Sequence, residues 1–122
     1  MATILVVDDE GAIRSILRTT LEQAGYDVED AANGNEALRL YSQHVPDLIM
    51  IDLMMPEKEG LETIKDIRGQ GSKAKIIAMS GGIVNKIDSL ITARFRGADA
   101  IIAKPFDLQG VLKVVRSLLE QT

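Results

Sequence analysis

A doubly wound α/β fold around a five-stranded parallel sheet is predicted by three observations. Short apolar runs recur at wide spacing, amphipathic helical patterns separate them, and 122 residues is the size of one such domain. The runs Ile4-Leu5-Val6-Val7, Leu48-Ile49-Met50-Ile51, Ile76-Ile77-Ala78-Met79 and Ile101-Ile102-Ala103 lack the polar alternation of a half-solvated strand. They are expected to be strands buried on both faces. From Tyr26 to Ala31 apolar and acidic residues alternate, which predicts an edge strand with one wet side.

The first helical pattern places Ile13, Ile16, Leu17, Leu21 and Ala24 along one stripe, with Gly25 where a left-handed cap belongs. Shorter patterns run from about 35 to 43, 61 to 68 and 84 to 96, and Gly69 and Gly97 follow the last two as stop signals. The final pattern carries Leu108, Val111, Leu112, Val115 and Leu118, with Asp107 as its capping carboxylate. Five strands alternate with five helices. Parallel neighbours need crossover connections, and helices of this length supply them on both faces of the sheet.

Composition narrows the function classes. A chain of this length buries roughly two thirds of the surface it exposes when unfolded, so residues 1–122 are expected to form one domain with no room for a second. No apolar run approaches the ~20 residues of a membrane span, and the N-terminus has no secretory pattern, which points to the cytoplasm. Without cysteine there is no disulfide, thiolate nucleophile or thiolate metal site. A net charge of −4 with 3% aromatic residues argues against direct nucleic-acid binding.

The polar residues that end the apolar runs carry the chemistry. Asp8 and Asp9 follow the first, Asp52 the third, Ser80 the fourth and Lys104 the fifth. In an open α/β sheet all of them emerge at the carboxyl edge, where ligands bind. Three crowded carboxylates repel one another and call for a cation. An all-oxygen donor set suits Mg2+, whose charge together with Lys104 roughly cancels theirs. Asp52 then has the surroundings of a nucleophile toward phosphorus, with Lys104 and the Ser80 hydroxyl placed for the phosphoryl oxygens. Gly81-Gly82 leaves the next loop unobstructed.

Taken singly these residues have plainer explanations. Asp8-Asp9 is the composition of a turn or helix cap, Asp52 of a surface turn, and Lys104-Pro105 of a strand end. Their joint placement at successive strand ends favours the pocket. His44, the lone histidine, precedes Val45-Pro46 at a helix end and is expected to be solvated. The methionines are expected to pack rather than bind metal.

Asp8-Asp9, Asp52-Leu53-Met54-Met55-Pro56, Ser80-Gly81 and Lys104-Pro105-Phe106 together resemble the receiver domains of two-component response regulators, of the single-domain chemotaxis type, over essentially the whole chain. That resemblance implies a flavodoxin-like strand order 2-1-3-4-5 and a stoichiometric phosphoacceptor rather than an enzyme. It implies Mg2+ held by Asp8, Asp9, Asp52 and the backbone carbonyl of Met54, with Asp52 phosphorylated and Ser80 and Lys104 gripping the phosphoryl group. A cis peptide between Lys104 and Pro105 is also implied.

The implied phosphodonor is a sensor histidine kinase or a histidine phosphotransfer protein, docking near the first helix and the Lys104-Pro105-Phe106 loop. Output runs to a protein target, or to a phosphorylation-dependent dimer, through the side from Ser80 to Ile101. Gly81, Gly82, Ile101, Pro105 and Phe106 are the candidate switch and partner residues.

The sequence departs from that pattern at Ile101, where many relatives carry tyrosine or phenylalanine. A β-branched side chain cannot swing a ring between two positions. Glu57-Lys58-Glu59 adds charge after Asp52, and Met54 and Gly82 occupy positions that influence phosphoryl lifetime in the family. Two other classes fit less well. An aspartate-nucleophile phosphohydrolase needs a second aspartate where Met54 stands, and a flavin module would not place Asp8-Asp9-Glu10 against phosphate. A receiver-like interaction module working without phosphorylation is the main alternative.

Overall fold

A computed structural model describes residues 2–53, 60–81 and 97–120. Five strands, β1 (Thr3–Val7), β2 (Asp27–Ala31), β3 (Leu48–Asp52), β4 (Lys75–Ser80) and β5 (Ala100–Ala103), form one sheet in the order β2-β1-β3-β4-β5, parallel throughout. Four helices are present among the described residues: α1 (Gly11–Gln23), α2 (Gly34–Gln43), α3 (Gly60–Gly69) and α4 (Leu108–Leu119). The helix expected between about 84 and 96 lies outside the described residues.

Side-chain alternation along the strands builds two cores. Leu5, Val7, Ile49, Ile51, Ile76 and Ala78 face one side, where they meet Ala37 and Tyr41 of α2 and Ile64 and Ile67 of α3. Ile4, Val6, Leu48, Met50, Ile77 and Met79 face the other and pack on Leu17 and Leu21 of α1 and Val111, Val115 and Leu118 of α4. Complete burial of one such side chain stabilises by about 1.5–3 kcal/mol, so both faces drive the central strands into this arrangement. Met50 and Met79 are thus core residues. No helix among the described residues is long and apolar enough to cross a membrane.

Local signals set the ends. The Asn33 side chain accepts from the Glu36 amide at 2.8 Å, so α2 begins at Gly34, a residue before the pattern suggested. Asp107 caps α4 through the Gln109 amide at 3.0 Å. Gly25 has φ +98° and closes α1 as expected. Gly69 does not stop α3: it is the last helical residue, and the left-handed position is Gly71, φ +80°. The two glycines share the tail of one helix, and sequence spacing does not distinguish which takes the cap.

Two strands lie at the sheet edges. Val28 and Ala31 of β2 are buried while Glu29 is exposed, matching its alternating pattern. The expectation that β5 is buried on both faces is corrected: all four of its residues are half-buried, because β5 pairs only with β4. An apolar run alone does not distinguish a central strand from an edge. His44 is exposed, 4.0 Å from the carboxylate of Glu29.

Candidate functional site

Register brings the site together. Val7 pairs with Ile51, so Asp8 and Asp52 each stand one residue beyond a shared rung, while Ser80 pairs with Ala103 and puts Lys104 just past it. The Lys104 amide donates to the Ser80 carbonyl at 2.7 Å, and the Lys104-Pro105 peptide is cis, as the resemblance implied. Asp8, Asp52 and Ser80 are all buried, an unusual fate for the two carboxylates that signals dedicated partners.

Lys104 is the chief partner. Its ammonium lies 2.6 Å from Asp8 Oδ2, 3.3 Å from Asp52 Oδ2 and 3.9 Å from Glu10 Oε1. Burial pulls its pKa down most strongly, yet the Asp8 hydrogen bond and the charges of Asp52 and Asp8 together outweigh burial and hold it above 10.5. Lys104 therefore stays charged across the physiological range and cross-links β5 to β1 and β3. Gly81 sits over its stem: a Cβ there would lie 3.2 Å from Lys104 Cδ.

The acidic turn after β1 is compact. Carboxylate oxygens of Asp8, Asp9 and Glu10 lie within 4.8 Å of one another, with Asp8 buried and the other two exposed. Asp8 Oδ1 accepts from the Glu10 amide at 2.9 Å. With Asp52 the pocket gathers four carboxylates, three of them within 4.0 Å of the Lys104 ammonium, and all the side-chain donors are oxygen. Such a set fits a hard divalent cation.

Of the remaining sequence candidates, Pro105 is exposed and Phe106 half-buried against the α1–α4 core, whereas Ile101 packs half-buried on the opposite core. A groove of about 560 Å3 opens beside the pocket, lined by Ile13 and Ile16 of α1 and by Pro105, Phe106 and Leu108, with Glu10 and Lys104 at its edge. Met54 and Gly82 lie outside the described residues, as does most of the Ser80-to-Ile101 side.

Sequence reasoning missed two contributors and named Glu10 only in setting a flavin module aside. Glu10 belongs to the acidic turn, and its signal was simple adjacency. Gly60 opens α3 so close to Asp52 that a Cβ would fall 2.1 Å from the Asp52 carbonyl oxygen, which no other residue tolerates without moving β3. Arg14 donates from Nη1 to the Asp8 carbonyl at 2.7 Å.

An acidic, lysine-bridged pocket at the carboxyl edge of a 2-1-3-4-5 parallel sheet defines a class, the doubly wound α/β domains that hold ligands at their strand ends. Within it, this chain belongs to the response regulator receiver domain family, whose family model matches residues 4–116. It is 38% identical over 119 residues to the response regulator MprA of Mycobacterium tuberculosis H37Rv, covering 98% of this chain and 51% of that protein. It is also 38% identical over 122 residues to the DNA-binding dual master transcriptional regulator RpaA of Synechocystis, covering 100% of this chain and 51% of that one. The chain thus spans about half the length of these relatives.

Solved structures agree. The Francisella response regulator 1452 receiver domain superposes with a TM-score of 0.90 at 30% identity, covering 98% of each chain. Vibrio cholerae CheY4 gives 0.89 at 32%, covering 97% of this chain and 98% of its own.

Proposed function

We propose that Asp52 accepts a phosphoryl group from a phosphohistidine on a sensor kinase or phosphotransfer protein, in a Mg2+-dependent reaction. The observation that carries this reading is the ammonium of Lys104 bridging two buried carboxylates, Asp8 and Asp52, at one strand edge. A structural ion pair needs one carboxylate per cation; among the described residues this arrangement sets three carboxylates against one ammonium.

Asp8 and Asp9, with Asp52, would hold the cation. When bound it supplies charge neutralisation for the phosphoryl oxygens. The chain's own residues do the rest. Asp52 Oδ attacks phosphorus as the phosphorus–nitrogen bond to the donor histidine breaks, and the histidine leaves with that electron pair. Lys104 and the Ser80 hydroxyl meet the transferred oxygens. Met54 provides no acid for turnover, so the domain is a stoichiometric acceptor rather than an enzyme.

The apolar groove between α1 and the Pro105-Phe106 segment suits the donor protein, because it opens where a histidine has to reach Asp52. With a net charge of −4, the phosphorylated domain signals to a protein rather than directly to nucleic acid. Incubation with a small phosphodonor, with and without Mg2+, followed by intact-mass measurement tests the proposal. Wild type gains one phosphoryl mass only with Mg2+, and Asp52→Asn gains none. A folded wild type that gains nothing leaves the phosphorylation-independent interaction module standing instead, the reading that Ile101, packed on the core without a ring, would favour.

A further inference from the structure

We infer that Arg14 is a positioning residue for the acidic turn, acting through the backbone of Asp8. The inference rests on the reading of that turn as the Mg2+ site and adds to it a residue that touches neither metal nor phosphate.

Asp8 is held at every polar atom. Its amide donates to the Ala31 carbonyl at 3.1 Å, Oδ1 accepts from the Glu10 amide at 2.9 Å, and Oδ2 accepts from Lys104 at 2.6 Å. The fourth group, its carbonyl oxygen, lies past the end of β1, where the sheet ladder offers it nothing. Arg14 Nη1 reaches it from the second turn of α1 at 2.7 Å. The guanidinium gets there by folding back along the helix past Gly11, where a Cβ would stand 3.6 Å from Nη2.

The end of α1 needs such help. Glu10 is its N-cap but makes no side-chain capping bond, and the first turn carries no acidic residue. The helix backbone holds the Glu10 carbonyl through the Ile13 and Arg14 amides, both at 3.1 Å, but no capping side chain fixes Asp8 and Asp9 against the mutual repulsion of the carboxylates. Among the described residues Arg14 makes no ion pair, so its hydrogen-bonding strength goes to a neutral carbonyl. A charge-assisted bond of that kind is short and directional, and it fixes the peptide plane between Asp8 and Asp9. That plane carries Asp9, whose carboxylate lies within 4.8 Å of those of Asp8 and Glu10.

Charge and position pull metal affinity in opposite directions here. A cation near the acidic turn repels Mg2+, so a purely electrostatic Arg14 would make the site weaker than it could be. A positioning Arg14 makes it stronger. The sign of the change on removal separates the two.

The experiment is a Mg2+ titration of metal-free wild type, Arg14→Met and Arg14→Lys, followed by amide NMR shifts of residues 8–10, with thermal unfolding as a check on folding. Removal of an outer partner of a metal ligand typically weakens affinity by about tenfold or more, and that loss is expected for Arg14→Met. Arg14→Lys, which restores a donor of nearly the same reach, recovers part of it. Should Arg14→Met not fold, Arg14→Gln, whose amide is too short to reach the carbonyl, replaces it with the same weakening expected. Unchanged or tighter Mg2+ binding in the folded variant overturns the inference while leaving the Mg2+-site reading intact. Absence of Mg2+ binding by wild type overturns both.

Discussion

Two cations sit at opposite ends of this sheet, and their surroundings differ in kind. At the amino edge of β4 and β5, Arg68 gives Nε and Nη2 to the Gly97 carbonyl at 3.0 and 2.9 Å and Nη1 to the carbonyls of Ser72 and Ala74 at 3.0 and 2.7 Å. Nη2 also meets Asp99 Oδ2 at 2.8 Å, an oxygen that accepts from the Ile76 amide as well. Those bonds match the full donor set of a guanidinium, and one carboxylate balances one charge. At the carboxyl edge Lys104 is a point charge among Asp8, Asp52 and Glu10, outnumbered and with no neutral carbonyl on its ammonium among the described residues. A satisfied network ties α3 to the start of β5; the other, unbalanced among the described residues, is the one proposed to do chemistry. Both are ion clusters at a sheet edge, and the accounting of donors and charges separates them.

The largest expected effect breaks the carboxyl end. Lys104→Met removes the donor proposed to meet the transferred oxygens, and losing one such preorganised donor typically slows a reaction by about 100-fold or more. The rate of phosphoryl uptake from a small phosphodonor at saturating Mg2+, read by intact mass, measures it. A loss smaller than about threefold would place Lys104 with Arg68 as a structural cross-link.

Arg68→Met should do the opposite. It leaves the carbonyls of Ser72, Ala74 and Gly97 and the Asp99 carboxylate short of a partner, and urea unfolding is expected to show a loss of about 3 kcal/mol. Mg2+ affinity should change by less than about twofold, since outer-partner effects on a metal site require contact with its ligands. If affinity falls as far as in Arg14→Met, the two ends of the sheet are coupled and the contrast fails.

The same contrast explains what the sequence disclosed. Asp8, Asp52, Ser80 and Lys104 were legible because each ends an apolar run, and parallel strands deliver their carboxyl ends to one edge. The order of the strands came from family resemblance, since periodicity carries no information about which strands are neighbours. Arg14 and Arg68 were invisible because an arginine on a helix has the pattern of a solvated face; only tertiary geometry turns the guanidinium inward. Gly60 was overlooked for a related reason: its approach to the Asp52 carbonyl is a contact between β3 and α3, unmarked by any local turn signal. The half-buried β5 shows the reverse error, an apolar composition shared by central and edge strands.

The smallest effect separates the two cations by pH. Lys104 has its pKa raised in the folded state, with burial opposing and the Asp8 and Asp52 interactions prevailing. A raised folded pKa means that the folded protein holds the proton more tightly than the unfolded chain. The stabilisation is therefore fully present below 10.5, the ordinary lysine value, and is lost as pH climbs through the higher folded value. The Arg68 network is built mostly on the neutral carbonyls of Ser72, Ala74 and Gly97, which carry no proton to lose. Metal-free wild type compared with Lys104→Met and Arg68→Met by urea unfolding from pH 8 upward isolates each contribution. The advantage of wild type over Lys104→Met should hold steady to about pH 10 and then shrink, while its advantage over Arg68→Met stays level. A decline in both at the same pH would mean that the Arg68 network depends on the charge of Lys104, joining ends that the geometry keeps apart.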